Sequence, residues 1–260
     1  QRLNRRLQVL NGILPGVRVL LMVDATGKVI AANKTALLGV MLSQREWFAT
    51  VAKGGSQQTL YLVAPVTSAL NTYVSGLVRL VPGPRGEFAG AVYGSLHPEF
   101  AKTLLNSVVY TPDTLVTLVH GNGKVFVSTD DTLVGQDVGV PGTLFSRHRE
   151  SGQTTSLQMG AAKLSGTELM TALRTIHPPS LRMNTPLVVG VSRNLDAVFA
   201  PWRKQAMRAG VMFGVLALIS VGALALYQRL RVRNAAAKLR VEFALAQSQQ
   251  RFSTAFAAAP

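Results

Sequence analysis

The sequence predicts an α+β chain in which two small antiparallel-sheet domains stand in tandem ahead of one membrane-crossing helix. Three observations carry that prediction. Two strand pairs, each folded about a glycine turn, open two similar successions of strands. Apolar residues at helical spacing mark the segments that enter, bridge and leave those successions. From Ala209 to Gln228 the run AGVMFGVLALISVGALALYQ passes twenty residues without a charge. At about 1.5 Å per residue such a helix reaches roughly 30 Å, the thickness of a bilayer's hydrocarbon core.

In chain order, Leu3, Leu7, Leu10 and Leu14 share one helical face, so residues 1–14 read as the end of a long N-terminal stalk helix closed by Pro15 and Gly16. Val17–Asp24 and Lys28–Ala32 read as strands about the turn at Ala25-Thr26-Gly27. A helix is expected over Ser43–Lys53, then strands at Leu60–Val66, Tyr73–Val81 and Phe88–Leu96, the last two joined by Pro82-Gly83-Pro84-Arg85-Gly86. Together 15–109 make the first domain, whose last helix, Pro98–Val109, acts as a bridge. The pattern restarts at 110–194, with strands Leu115–Val119 and Lys124–Ser128 about His120-Gly121-Asn122-Gly123. After a loop come strands Thr154–Met159, Glu168–Thr175 and Leu187–Ser192. Few residues match between the halves, so the repeat is one of element order. An exit helix, 195–208, leads into the span at 209–228. Over 229–250, Val232, Ala236, Leu239, Phe243, Ala246 and Gln250 step by four and three, a coiled-coil seam with few strong apolar residues.

Arg229, Arg231, Arg233, Lys238 and Arg240 follow the span, against Arg203, Lys204 and Arg208 before it. Lys and Arg accumulate on the cytoplasmic side, so 229–260 should be cytoplasmic and 1–208 on the outer side of the membrane. That topology implies a further membrane helix upstream of Gln1, and we read the chain as a piece of a longer protein. The net charge of +15 invites a nucleic-acid reading. The cations of 1–208 are scattered singly rather than interleaved with stacking aromatics, so no nucleic-acid partner is expected. The absence of cysteine excludes disulfides and thiolate chemistry.

The order of parts resembles the double Cache (PDC-type) periplasmic sensors. The likeness is carried by Val19–Asp24 with Gly27-Lys28-Val29, by Leu42-Ser43-Gln44-Arg45-Glu46-Trp47-Phe48, by Gly86-Glu87-Phe88-Ala89-Gly90-Ala91-Val92, and by His120-Gly121-Asn122-Gly123-Lys124. It implies two PAS-like sheet domains, 15–109 distal to the membrane and 110–194 proximal. The tail, 251–260, resembles the start of a PAS domain in the spacing of Phe252, Phe256 and Pro260. Proteins of this layout most often look like c-di-GMP turnover enzymes (GGDEF or EAL outputs), and next like sensor histidine kinases.

No catalytic constellation is visible, and this stretch is expected to be no enzyme. His97, His120, His148 and His177 lie at least 23 residues apart, so neither a metal nor another cofactor is implied. Gly121-Asn122-Gly123-Lys124 lacks the rest of a P-loop and reads as a hairpin turn. The resemblance instead points to Arg45 and Trp47. In amino-acid-sensing double Cache domains an Arg-x-Trp-Tyr motif holds the ligand carboxylate through the guanidinium fork and the indole N–H. Tyr61, Tyr73 and Ser95 are the further ligand-binding candidates. Val63 and Ser95 stand where the resemblance expects the carboxylates that bind a ligand's ammonium. The expected partner is therefore a small carboxylate or other anion, bound by a homodimeric sensor. The competing reading is a degenerate Cache pair that serves dimerisation or protein docking without a small ligand.

Overall fold

A computed structural model describes residues 2–68, 73–163 and 165–257, without the side chains of 239, 244 and 246–257. The N-terminal helix α1 (Arg2–Ile13) buries no residue fully. Polar contacts tether it, as Asn4 Oδ1 accepts from the Ala32 N–H at 3.2 Å. It is 12 residues long. The long helix of the chain is the C-terminal one, where the sequence reading placed a long helix at the N-terminus.

The first sheet contains β1 (Val17–Asp24), β2 (Val29–Ala32), β3 (Tyr61–Thr67), β4 (Tyr73–Pro82) and β5 (Phe88–Leu96) in the order β2-β1-β5-β4-β3, every neighbour antiparallel. In β1 alternate residues Val19, Leu21 and Val23 are buried, as the two-residue period of a half-covered strand requires. Helix α2 (Glu46–Ala52) lies on that face and buries Trp47, Phe48 and Val51. These residues join Val78, Leu80 and Ala91 in one core. Burying each large side chain contributes roughly 1.5–3 kcal/mol.

Helix α3 (Pro98–Asn106) follows, with Pro98 in its first turn and the His97 ring accepting from the Phe100 N–H. The second sheet contains β6 (Thr114–His120), β7 (Val125–Ser128), β8 (Thr155–Ala161), β9 (Glu168–Ile176) and β10 (Leu187–Asn194) in the order β7-β6-β10-β9-β8. The two sheets thus share one topology. The likeness extends to a single 3₁₀ turn after the second strand of each, at Thr35–Leu37 and Asp131–Leu133.

Helix α4 (Leu144–Ser151) occupies the place of α2 in the second domain, where the sequence reading left a loop. Its polar sequence, LFSRHRES, hides it. Only Phe145, Ser146 and His148 are buried. Its ends do carry signals: the Thr143 hydroxyl accepts from the Ser146 N–H, and Gly152 stops the helix at φ 64°. α4 covers one face of the second sheet through Phe145, Val119, Leu173 and Val188. α3 covers the other through Leu105, against Val116, Phe126 and Val127.

The exposed edge strand β3 does not end the first sheet unprotected. Leu60 donates to Arg182 O at 2.8 Å, Asn184 N donates to Leu60 O at 3.2 Å, and Asn184 Oδ1 accepts from the Leu62 N–H at 2.7 Å. A segment of the second domain therefore pairs with the edge of the first.

Helix α5 (Leu195–Ala257) covers the stretches read as exit helix, span and linker. Within it, Leu195–Phe243 is long and apolar enough to cross a membrane by length and composition, with none of the apolar window buried. By its contacts the chain divides into two units, one up to Val198 with both sheets and one from Phe199 onward. The side chains of Leu239, Ala246, Gln250, Phe252 and Phe256, and all of Pro260, lie outside what the structure describes. The seam and the PAS-like start rest on those residues.

Candidate functional site

The first domain has a cavity of about 70 Å³ between α2 and the sheet. Its walls are aliphatic: Val19 and Leu21 from β1, Leu37 and Leu42 from the segment before α2, Val66 from β3 and Val74 from β4. Its polar groups come from Arg18, Arg45, Trp47, Ser68, Tyr93 and Ser95. Two arginines and no Asp or Glu stand among the described lining residues.

Arg45 sits at the N-cap of α2 in an extended conformation, and its Nη1 donates to Thr67 O at 3.3 Å. Among the described residues that single neutral bond leaves most of the guanidinium fork unused. Trp47, two residues on, turns its indole inward against Tyr93 of β5, with ring centroids 5.2 Å apart and planes at 25°. Phe48 meets Trp47 edge-on and packs in turn on Phe88. Neither the indole N–H of Trp47 nor the hydroxyl of Tyr93 has a hydrogen-bond partner among the described residues. Burial pushes the Tyr93 phenol up to about 12, against the opposing pull of the Arg45 charge. The hydroxyl is therefore protonated and able to donate at neutral pH.

Ser95 lines the same cavity but already has a structural task. Its Oγ accepts from the buried Val19 N–H at 3.1 Å, at an irregularity in the β1–β5 pairing. Tyr61 lies apart from the cavity, in an adjoining groove of about 380 Å³ that shares Arg45 and Trp47 with it. There the Tyr61 hydroxyl accepts from the Ser56 N–H at 2.8 Å. Glu46, His120 and Asn184 also line this groove, so it opens between the two domains. Tyr73 is in neither space; its ring lies against Gly135 of the second domain. The structure thus gathers Arg45, Trp47 and Ser95, sets Tyr61 next door, and takes Tyr73 away. Val63 is half-buried and packs on the core.

Sequence reasoning missed Arg18 and Tyr93. For Tyr93 a signal existed. It precedes Ser95 by two residues on one strand, so both side chains must point to the same face.

No protein-family model matches the sequence, and no curated protein matches it. Solved structures do. A crystal structure assigned to the extracellular domain of histidine kinase rpHK1S-Z16 superposes with a TM-score of 0.65 at 22% identity, over 76% of this chain and 79% of that one. The chain has the tandem Cache fold. The ligand-binding domain of the Pseudomonas aeruginosa amino acid chemoreceptor PctB, in complex with L-Arg, gives 0.53 at 17% identity over 76% and 86% of the two chains. The periplasmic sensory domain of the Campylobacter jejuni chemoreceptor Tlp1 gives 0.53 at 13% identity over 63% and 60%. The Cache fold of this chain is thus one that sensory and ligand-binding domains use.

Proposed function

We propose that residues 1–208 are the extracytoplasmic sensor of a transmembrane signalling protein, and that the first Cache domain takes a small carboxylate or other anion. The observation that carries this reading is the cavity under α2, which Arg45 lines with no Asp or Glu among the described lining residues. A carboxylate could lie on the free edge of Arg45 and gain charge-assisted hydrogen bonds. An α-amino acid would leave its ammonium without an ionic partner, because Val63 and Ser95 offer none and the Ser95 oxygen is engaged by Val19. Desolvating that ammonium costs at least about a few kcal/mol. This argument separates the chain from the amino acid chemoreceptor whose fold it shares.

The signal would pass through α5 across the inner membrane to a cytoplasmic output. The excess of cations after Gln228 supports that orientation, and the heptad-like seam from Val232 supports a parallel homodimer. For the output we favour c-di-GMP turnover, on the resemblance of the layout and the PAS-like tail, with a histidine kinase as the alternative. A ligand can bias such a system only by binding its two states unequally.

A second reading, a degenerate Cache pair that serves dimerisation or docking, is favoured by the small volume of the cavity and by the structural task of Ser95. A thermal-shift screen of the detergent-solubilised chain against small organic acids and amino acids separates the two. Stabilisation by acids alone supports the sensor reading, and a melting temperature unmoved by every compound supports the docking module.

A further inference from the structure

The Tyr93 side chain is held from both sides. Across the sheet its strand partner on β4 is Val78, and Gly76 is the diagonal neighbour. The phenol ring lies directly over Gly76. A Cβ on that residue would stand 2.6 Å from Tyr93 Oη, a distance no real side chain keeps. On its other side the ring is stacked by Trp47. Glycine at 76 therefore allows the ring to lie flat across β4, and the indole prevents it from lifting. A side chain fixed in this way loses little freedom on binding.

Two neutral donors of the cavity lining, the Tyr93 hydroxyl and the Trp47 indole N–H, thus have no partner among the described residues. A purely apolar ligand body would strip water from both and replace it with nothing. The space is also short. One water needs about 10–15 Å³, so the cavity of about 70 Å³ holds on the order of five waters, or a three- or four-carbon acid.

We infer that Tyr93 sets the ligand class of this site, selecting short carboxylates that carry an uncharged hydrogen-bonding substituent, such as a hydroxyl, near the acid group. This rests on the carboxylate reading given above. In the bound arrangement the acid group lies on Arg45, the carbon chain meets the aliphatic wall of Val19, Leu21 and Val74, and the hydroxyl exchanges a hydrogen bond with Tyr93 Oη.

The test is calorimetric titration of the full chain in detergent with propionate, 2-hydroxypropionate and 3-hydroxypropionate. The same titrations are run on Tyr93→Phe, which keeps the ring and its stacking. In the parent chain at least one hydroxy acid should bind about fivefold tighter than propionate, the worth of one neutral hydrogen bond. In Tyr93→Phe that preference should vanish while propionate affinity stays within about twofold. Propionate binding as tightly as both hydroxy acids in the parent chain would overturn the inference and leave the carboxylate reading standing. So would a preference that survives in Tyr93→Phe. Failure of all three acids to bind would overturn both.

Discussion

The rings of Trp47 and Tyr93 lie 5.2 Å apart and nearly parallel, one carried by helix α2 and the other by the central part of strand β5. This stack joins helix α2 to the first sheet, and both rings line the cavity. Offset aromatic pairs contribute about 0.5–1.5 kcal/mol beyond the area they bury. The same contact that stabilises the domain therefore shapes its candidate site.

Burial of the Tyr93 phenol has a consequence for alkaline stability. The unfolded chain loses this proton near the ordinary tyrosine value of 10, while the folded chain holds it to about 12. Between those values the folded state binds more protons, so stability falls as pH rises, by at most about 1.4 kcal/mol per pH unit from this group. Melting curves from pH 9 to 12 should show a steeper loss for the parent chain than for Tyr93→Phe. Parallel curves would contradict the burial of the hydroxyl.

The two glycine turns predict a matched pair of effects. Gly27 has φ +85°, and a Cβ there would lie 2.7 Å from the backbone nitrogen of Ser43. Gly123 has φ +99° and would meet the backbone of Gly139. Replacing either by alanine adds left-handed strain to a clash with backbone that cannot move aside. Each substitution should cost about 1–3 kcal/mol in urea or thermal unfolding. Gly142→Ala, also at positive φ but in open space, should cost less.

Much of this architecture is legible in the sequence, and the exceptions have physical causes. The strands β1, β2 and β5 show themselves as short apolar runs bounded by turn residues, and the turns by Gly27 and Gly123. α4 escapes because its buried face is three residues wide and includes Ser146 and His148, which no hydrophobic pattern counts. Once the sheets are superposed, Gly27-Lys28-Val29 matches Gly123-Lys124-Val125, and Leu37 and Gly39 match Leu133 and Gly135. The repeat is therefore written in the turn residues, where the backbone constrains identity, and not in the strands, where many apolar residues serve. In the site, Arg45 and Trp47 are legible as a motif. For Tyr93 the sequence shows only that it shares a strand face with Ser95, because its role depends on β4 lying beside β5 and on Gly76 within β4.

His148 makes the second domain sensitive to acid. It is 1% exposed, with Nδ1 2.8 Å from Ser156 Oγ and Nε2 2.9 Å from Thr175 Oγ1. Burial penalises the charged ring and holds its pKa below the ordinary 6.5. Below pH 6.5 the unfolded chain takes up a proton that the folded chain refuses. The stabilisation is thus complete above that pH and is lost as pH falls toward the folded value. Melting temperature measured from pH 8 to 5 should decline more steeply for the parent chain than for His148→Gln. An equal decline would show that the ring accepts its proton without cost.

The central claim, that Arg45 holds the acid group of a non-amino-acid ligand, is tested most directly by calorimetry on the detergent-solubilised chain. The titrants are three-carbon organic acids and alanine, with Arg45→Ala and Arg45→Lys as variants. The account predicts binding of an acid to the parent chain, a loss of at least about tenfold in Arg45→Ala, partial retention in Arg45→Lys, and no comparable binding of alanine, since a charge-assisted pair is lost in the first variant and its bidentate geometry in the second. Micromolar binding of alanine, or acid binding undisturbed by Arg45→Ala, would contradict it.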